Sequence, residues 1–323
     1  MSESRIIRPY PGFIIPTRRF VDVGMPRSGV SMSGRYQLRV LDAYGIEKRR
    51  TPWFDNIILD SGLNRWFTGN IIGGAAIGTG TATPAATDTG LQTQSHWTIT
   101  AGTGDTITAG ISPNYNNTRT FVYRTTLGSL NGNYTEVGVG WASGSNMFSR
   151  ALILNGVGVP TPISVSSSEQ LDIVYQLSVY PPIIDIGPTV ITISGVDYTV
   201  TGRASQVTST STAWTVPTST FALNSNSVYA AIHSGDIGAI TGAPSGSSAA
   251  FGSSTANSYS NNSLVQTGVL NAGLTNGNVS GGIMSVRAGW ANIGQFQYKY
   301  DPVIPKDGTK TLALNFSLTL ARR

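Results

Sequence analysis

The stretch Leu171-Asp-Ile-Val-Tyr-Gln-Leu-Ser-Val-Tyr180 decides the fold class, because its apolar residues recur at every second position. A period of two is typical of a β-strand with one buried face. A second stretch, Leu312-Ala-Leu-Asn-Phe-Ser-Leu-Thr-Leu-Ala321, repeats the pattern near the end of the chain. Each stretch closes a series of shorter strand and turn signals, which predicts an all-β protein. The apolar positions that coincide are Leu171/Leu312, Tyr175/Phe316, Leu177/Leu318 and Val179/Leu320.

The two halves of the sequence also share a tryptophan motif. Gly140-Trp141-Ala142 recurs as Gly289-Trp290-Ala291, and each motif precedes a closing strand. Pro181-Pro182 ends the first series, because proline lacks the N–H that a central strand must donate. We therefore predict two β-sandwich-like domains, over residues 35–182 and 183–323, with both tryptophans as core anchors. A true duplication stays open, since β-domains commonly end in an alternating strand.

Between these landmarks lie shorter strand, turn and helix signals. Residues 35–41, 119–126, 134–141 and 151–154 have strand character, and Asp42-Ala-Tyr-Gly45 has the composition of a turn. One short helix is predicted where Leu59, Leu63, Trp66 and Phe67 fall on one face. Asp60-Ser61 would cap this helix and Gly69 would end it.

Residues 1–34 differ from the rest of the chain. They show no sustained period of 2 or 3.6 residues, and they contain Pro9, Pro11, Pro16 and Pro26. Prolines favour an extended backbone, so we predict an extended basic arm. Its apolar side chains, including Phe13 and Phe20, would be costly to expose to water. We expect the arm to dock along a neighbouring protein.

Composition restricts the function further. The chain has no cysteine, which excludes disulfides and thiolate metal sites. Arginines and prolines near the N-terminus replace the apolar stretch of a secretory signal, and no run of about 18 apolar residues occurs, so neither export nor a membrane span is expected. Only 11% of residues are charged, against about 25% in an average domain. This composition favours a protein whose surface is largely used in contacts.

The positive charge is concentrated at the start of the chain. Residues 1–50 contain ten Lys and Arg against four Asp and Glu. A basic segment can bind nucleic acid, but interleaved prolines and apolar residues favour a protein partner here, so nucleic acid is not expected. Some of these arginines could equally be solvated. The candidate assembly contacts are Arg5, Arg8, Phe13, Arg18, Arg19, Phe20, Arg49 and Arg50.

Catalytic residue types are scarce. His233-Ser234-Gly235-Asp236 brings His, Ser and Asp together locally, but a triad is assembled by the fold, and the chain has no G-x-S-x-G motif. A turn residue is the simpler interpretation of His233. Glycoside cleavage needs two carboxylates about 5–10 Å apart. Glu136 on a strand, and Glu169 with Asp172 before a closing strand, are the candidates, and both patterns are common structural ones. We therefore predict no enzymatic activity and no catalytic residue.

Ligand signals are also weak. The run from Gly73 to Gly80 is rich in glycine but lacks the G-K-[ST] of a phosphate loop, and residues 81–91 continue it as a loop. No D-x-[DN]-x-[DN]-G calcium pattern occurs. No cofactor and no metal site are therefore predicted. The 13 tyrosines and 6 tryptophans leave binding of a host-surface glycan open, although a core role explains them more simply.

Five further motifs follow one another along the first half of the chain. They are Trp53-Phe-Asp-Asn-Ile-Ile-Leu-Asp-Ser-Gly-Leu63, Gly78-Thr-Gly-Thr-Ala-Thr-Pro-Ala-Ala-Thr-Asp-Thr-Gly-Leu91, Glu136-Val-Gly-Val-Gly-Trp141, Phe148-Ser-Arg-Ala-Leu-Ile153 and Glu169-Gln-Leu-Asp-Ile-Val-Tyr-Gln-Leu177. In this order they resemble structural proteins of tailed bacteriophages. The resemblance covers about residues 50–182 and is moderately specific, and the half from Ile183 onward lies outside it. It implies a virion component, associated with the tail, collar or tail fibre, and it carries over no catalytic residue.

The resemblance therefore implies a virion protein of the tail or neck, which would be assembled in the host cytoplasm. It would act by binding copies of itself and other virion proteins. Three alternatives stay open. A receptor- or glycan-binding tail fibre or spike would expose a cluster of aromatic residues, and a capsid decoration protein would bind heads instead of tails. A depolymerase would lose activity when Glu136 or Glu169 is neutralised.

Overall fold

The structure is a computed structural model that describes residues 22–102, 104–210, 214, 216, 228–290 and 294–323. These residues form strands and one short helix, which confirms the predicted all-β class. In chain order the elements are β1 (Asp22–Gly24), β2 (Ser28–Leu41), β3 (Glu47–Arg50), β4 (Phe54–Asp55), β5 (Ile57–Ile58), α1 (Asp60–Thr68), β6 (Gly74–Gly78), β7 (Gln94–Thr98), β8 (Thr106–Ala109), β9 (Asn117–Arg124), β10 (Gly132–Tyr134), β11 (Glu136–Gly140), β12 (Met147–Leu152), β13 (Ile163–Val165), β14 (Gln170–Tyr180), β15 (Ile186–Ile193), β16 (Val196–Ala204), β17 (Val228–His233), β18 (Ser248–Ala249), β19 (Ser253–Ala256), β20 (Val265–Ala272), β21 (Ile283–Trp290), β22 (Gly294–Ile304) and β23 (Leu312–Arg322).

The largest sheet joins strands from both halves of the chain. Its order is β19-β20-β23-β2-β14-β9-β8. In addition, β1 pairs with β23, and β3 and β4 pair with β2. Strand β2 lies at the centre, antiparallel to β14 and parallel to β23. The two alternating stretches that predict the fold therefore flank one shared strand.

Alternation in β14 separates a core face from a polar face, as predicted. Leu171, Ile173, Tyr175 and Leu177 are fully buried on the core face. Gln176 lies on the opposite face, where its side chain accepts a hydrogen bond from Arg35 on β2 at 2.7 Å. Burial of the aliphatic and aromatic side chains on one face supplies most of the stability of such a sheet.

A second sheet, of order β5-β12-β11-β6-β7, packs on the first half of the large sheet. The Tyr36 hydroxyl on β2 and the Ser149 hydroxyl on β12 form a buried hydrogen bond of 2.6 Å between the two sheets. Helix α1 packs on the same layer, since the Trp66 and Phe148 ring centroids are 6.0 Å apart. This half is therefore a β-sandwich with one helix at its side.

The helix follows the predicted pattern except at its start. Leu59, Leu63, Trp66 and Phe67 are buried, and the N–H of Gly69 donates to the carbonyl of Arg65 at 3.0 Å. The predicted cap is wrong: Leu59 occupies the cap position with an extended backbone and no side-chain hydrogen bond. Asp60 and Ser61 are already helical, and the Ser61 hydroxyl donates to the carbonyl of Met147. The N–H of Asp60 donates instead to the carbonyl of Ala86 at 2.8 Å.

The second half forms its own sandwich against the part of the large sheet that contains β19, β20 and β23. Its sheet has the order β15-β16-β22-β21-β17-β18. Trp290 on β21 packs on Phe316 of β23 with ring centroids 4.6 Å apart. Ser28 on β2 and Tyr298 on β22 form a buried hydroxyl hydrogen bond of 2.7 Å. Strand β2 thus contributes to both sandwiches.

The order of strands agrees with a repeat of the two halves. In the outer sheet of the first half, β12, β11, β6 and β7 lie side by side in this order. In the outer sheet of the second half, β22, β21, β17 and β18 lie in the corresponding order. The trios β8-β9-β14 and β19-β20-β23 then join the large sheet on opposite sides of β2. The match of the Gly-Trp-Ala motifs and closing strands thus has a counterpart in the sheet topology.

Two predicted segments have different structures. Regular structure begins before Arg35, because Ser28–Leu41 is one strand whose Val30 and Met32 are buried. The predicted arm therefore shares its last residues with the core. The glycine run was predicted to be part of a loop, but Gly74–Gly78 is a buried strand. A Cβ on Gly74 would lie 2.5 Å from the ring of Trp97, so the glycine permits close packing of β6 against β7.

The predicted division at residue 182 coincides with the end of β14 but not with the end of a sheet. β14 stops at Tyr180, directly before the two prolines. The large sheet nevertheless continues from β14 through β2 into β23. The two sandwiches therefore share a hydrogen-bonded layer.

Candidate assembly surface

Two of the eight candidate assembly contacts lie in the described part of the chain. Arg5, Arg8, Phe13, Arg18, Arg19 and Phe20 fall outside the described residues. Arg49 and Arg50 are the last two residues of β3, which pairs with the end of β2. Of the eight candidates, the structure therefore describes the positions of Arg49 and Arg50.

Arg49 is bound within its own chain. Its guanidinium donates to both carboxylate oxygens of Glu169, at 2.8 and 3.0 Å, and also to the carbonyl of Ser164. The ammonium of Lys48 lies 3.0 Å from the same carboxylate. These donors, with the Ser166 N–H, hold the pKa of Glu169 well below its usual range, and the bond to Glu169 raises the pKa of Arg49. The pair joins β3 to the turn before β14.

Arg50 forms a local pair. It donates to Glu47 three residues earlier at 2.5 and 3.0 Å, and its side chain is 57% exposed. Exposed pairs of this kind contribute about 0–1 kcal/mol to stability. Both arginines thus have a carboxylate partner inside the chain, and their contact with another subunit stays a prediction.

Apolar side chains are exposed around these arginines. Tyr44 and Ile46, in the turn between β2 and β3, are 90% and 65% exposed. Leu127 follows β9 at the same end of the large sheet, because Leu41 and Arg124 both lie opposite the start of β14. Val157 and Val159 occupy the connection from β12 to β13, the strand whose Ser164 carbonyl accepts from Arg49. We call residues 42–46, 125–131 and 155–160 the Tyr44 end. Exposed apolar groups in such turns are typical of contact surfaces.

Glu136 is the first of the carboxylates considered for catalysis, and it is fully buried on β11. Its Oε1 accepts from the N–H groups of Gly80 and Thr93 at 2.9 and 2.7 Å. Its Oε2 accepts from the N–H of Gln92 at 3.0 Å and from the guanidinium of Arg150 at 3.1 Å. Each oxygen has two donors, so the carboxylate fixes the ends of loop 79–93.

Arg150 extends this network. Its guanidinium donates to Asp88 at 2.6 Å and to the carbonyl of Ala82 at 3.0 Å, and its side chain is only 4% exposed. Glu136, Arg150 and Asp88 therefore attach the loop to the outer face of β11 and β12. An arginine inside the apolar strand sequence Phe148-Ser-Arg-Ala-Leu-Ile153 was the signal for this network, and sequence reasoning missed it.

Asp172 was predicted in a turn but lies within β14, fully buried. It accepts from Arg39 on β2 at 2.9 Å and from Arg124 on β9 at 2.7 and 2.9 Å. Both arginines are its direct neighbours in the strand register, and the hydrogen bonds to Asp172 raise the pKa of Arg124. The carboxylate therefore joins three strands.

His233 is not a turn residue, because it ends strand β17 and is buried. Neither of its ring nitrogens has a hydrogen-bond partner within the described structure, and burial lowers its pKa. Its sequence neighbours bind elsewhere: Asp236 pairs with Lys299 at 2.5 Å, and Ser234 accepts from the N–H of Ser247. The local His, Ser and Asp thus form no relay with one another. His96, on β7, is half-buried.

The two matched tryptophans have different environments. Trp290 is buried, at 1% exposure, as predicted. Trp141 is only half-buried, since it follows the end of β11, and the Arg65 guanidinium lies over its ring at 5.2 Å. The prediction that both are core anchors is therefore wrong for Trp141.

A polar surface pocket of about 500 Å³ lies between loop 79–93 and the turn after β11. Its lining offers hydroxyl, amide and carboxylate groups but no aromatic ring on which a sugar could stack. It therefore lacks the aromatic platform that a glycan-binding role would use. The lining is Ala82, Thr83, Thr87, Asp88, Thr89, Gly90, Leu91, Gln92, Gln94, Gly144, Ser145 and Arg150.

The described residues contain no candidate metal site and no candidate membrane span. Within the described ranges, no group of three His, Cys, Asp or Glu side chains could hold a metal ion. No helix of the described chain is long and apolar enough to cross a membrane. The chain matches no protein-family model, and comparison with curated proteins and with solved structures found no match. The resemblance to phage structural proteins stays an expectation from sequence.

Proposed function

We propose that this protein is a structural component of a bacteriophage virion, in the tail or the neck and collar. It would assemble with copies of itself and dock on other virion proteins. The place in the particle comes from the sequence resemblance over residues 50–182. The observation that carries the assembly role is the Tyr44 end, where apolar side chains project from the turns of a sandwich.

A rigid frame supports this role. The two sandwiches share the sheet centred on β2, and buried hydrogen bonds link β2 to both outer sheets. Such a frame would hold the Tyr44 end in a fixed orientation relative to the second sandwich. Fixed geometry lowers the entropic cost of forming a repeated contact.

The carboxylates support a non-enzymatic role. Glu136, Glu169 and Asp172 are buried, and each accepts hydrogen bonds from at least one arginine. A glycosidase needs one carboxylic acid that can give up a proton and one carboxylate free to act as a base or nucleophile. These three side chains instead stabilise the loop, the turn and the sheet that they join.

The test is the solution mass of the chain at physiological salt. The unaltered chain is expected to form a discrete oligomer, and Val157→Ser, at a residue 83% exposed, should shift it toward the monomer. Ile111→Ser is the matched control, because Ile111 is 80% exposed in the turn at the other end of β9. Removal of residues 1–21, which leaves β1 intact, tests the N-terminal segment in the same assay.

A monomer for the unaltered chain at micromolar concentration would contradict self-assembly. Equal masses for the Val157 variant and the unaltered chain would contradict the role of the Tyr44 end. Localisation on purified particles by labelled antibody would then test the station: label on tails supports the proposal, and label on heads would favour the decoration alternative.

A further inference from the structure

Strand β15 leaves one edge of the second sandwich unpaired among the described residues. It begins the sheet of order β15-β16-β22-β21-β17-β18, and among the strands that the structure describes it pairs only with β16. It has eight residues, whereas β5, β7, β8, β18 and β19, which end the sheets elsewhere in the described chain, have two to five. Long unpaired edges are uncommon, because they offer a row of free N–H and C=O groups.

This edge has little protection against pairing. The segment Thr189-Val-Ile-Thr-Ile193 contains no charge, and Val190 is 63% exposed. Ile183 and Ile184 precede the strand and are 54% and 75% exposed. Pro188 and the irregular pairing beside it protect only the start of the strand. An uncharged, β-branched edge of this kind is a pairing surface.

The turn after β15 determines which backbone groups face outward. Ser194 and Gly195 have φ of 52° and 81°, which identifies a two-residue type I′ turn. In a β-turn the first residue accepts from the N–H of the fourth, so Ile193 and Val196 are a hydrogen-bonded pair. Bonded and non-bonded pairs alternate along an antiparallel ladder. The N–H and C=O of Val190 and Thr192 therefore face away from β16.

We propose that β15 pairs antiparallel with β15 of a second copy, about a two-fold axis at Ile191. This register places Val190 of one copy opposite Thr192 of the other. Each pair exchanges two backbone hydrogen bonds, so the axis generates four. A shift by one residue to an axis at Val190 would place Pro188, which has no N–H, opposite Thr192. The inference deepens the proposed self-assembly and rests on it.

A second copy fits this edge because the segment is complementary to itself. The two-fold pairing places a β-branched side chain opposite another and brings no like charges together. A two-fold contact also closes, so it adds one copy without continuing into a fibre. Asp197, opposite Thr192 on β16, already accepts from the Thr192 hydroxyl at 2.6 Å.

Cross-linking tests the register directly, because the chain has no cysteine of its own. In the double variant Val190→Cys, Thr192→Cys, each new thiol faces its counterpart on the other copy with Cα atoms about 5.5 Å apart, within the disulfide range. In either single variant the two thiols are offset by about 7 Å along the strand, which prevents a bond. Oxidation should give a covalent dimer for the double variant and monomer for both single variants.

Mass measurement gives the second readout. Val190→Lys places two ammonium groups on the paired edge and should halve the oligomer mass, whereas Ile111→Lys should leave it unchanged. Val190 is 63% exposed, so a folded Val190→Lys chain should keep the β-rich circular dichroism spectrum of the unaltered chain. Its thermal midpoint should be lower than that of the unaltered chain at the same concentration, because the partner copy no longer stabilises the folded state.

Three outcomes would overturn the pairing. The double-cysteine chain gives no dimer, the single variants cross-link as well as the double variant, or Val190→Lys leaves the mass unchanged. If cross-linking of the double variant appears only after residues 1–21 are removed, the chain's own N-terminal segment covers the edge and the proposal is wrong. If the mass is unchanged for Val190→Lys but reduced for Val157→Ser, self-assembly through the Tyr44 end is supported and pairing through β15 is refuted.

Discussion

Arg150→Met tests whether the buried network, and not surface charge, holds loop 79–93. The replacement keeps an unbranched side chain but removes the guanidinium that binds Glu136, Asp88 and the carbonyl of Ala82. Glu136 would keep its three backbone donors but lose its only cationic partner among the described residues. Breaking a buried pair by removing one partner costs about 3–5 kcal/mol.

Arg50→Met is the matched control. It removes a guanidinium from a side chain that is 57% exposed, against 4% for Arg150. The free energy of unfolding should fall by no more than about 1 kcal/mol. The two variants make the same chemical change, so any difference between them measures the effect of burial.

Urea unfolding followed by tryptophan fluorescence measures the difference. With a slope near 3 kcal/mol per molar urea, the Arg150→Met midpoint should fall by roughly 1 M or more. The double variant Glu136→Gln, Arg150→Met should recover part of the loss, because a neutral amide is less costly to bury without a cation. Equal midpoints for Arg150→Met and Arg50→Met would refute the reasoning.

Two further predictions concern a buried histidine and a helix contact. Burial lowers the pKa of His233, so the unfolded chain binds a proton more readily and stability should decline as pH falls below about 6.5; His233→Phe should reduce this decline. The same pH dependence of the unfolding midpoint in both chains would contradict this role. Gly62→Ala should destabilise the fold strongly despite the better helix propensity of alanine, because a Cβ would lie 2.2 Å from the carbonyl oxygen of Phe148. Gly156→Ala is the control and should leave the melting temperature unchanged, because a Cβ at Gly156 meets no atom within 4 Å. Similar melting temperatures for the two variants would contradict close packing of α1 against β12.

The candidate site could be predicted only in part. Asp42-Ala-Tyr-Gly45 predicts the turn after β2, and Arg49 and Arg50 are predicted contacts with a partner protein. Arg50 pairs with Glu47, which lies three residues earlier in the chain. Arg49 pairs with Glu169, which lies in the turn before β14, far along the chain. Charge patterns can indicate the first pair, but only the fold brings the second together.

The environment of each carboxylate also depended on the tertiary structure. Alternation in β11 places Glu136 on the face opposite Val137 and Val139, as expected for a strand. It gives no sign that loop 79–93 returns over that face and makes it a second buried layer. The path of the loop decides whether the outer face of β11 is covered. This path has no effect on the alternation of residues in the strand sequence.

The sequence by itself determined the elements whose pattern is local. A period of two identified β14 and β23, four apolar residues on one face identified α1, and two prolines marked the end of β14. The tertiary structure decided which strands are neighbours. Strand β2 pairs with β14 on one side and β23 on the other, and this pairing extends it back to Ser28. Hydrogen bonds between strands join residues that are far apart in the chain, so no local pattern encodes the partner, whereas the buried face of each strand is encoded in its own side chains.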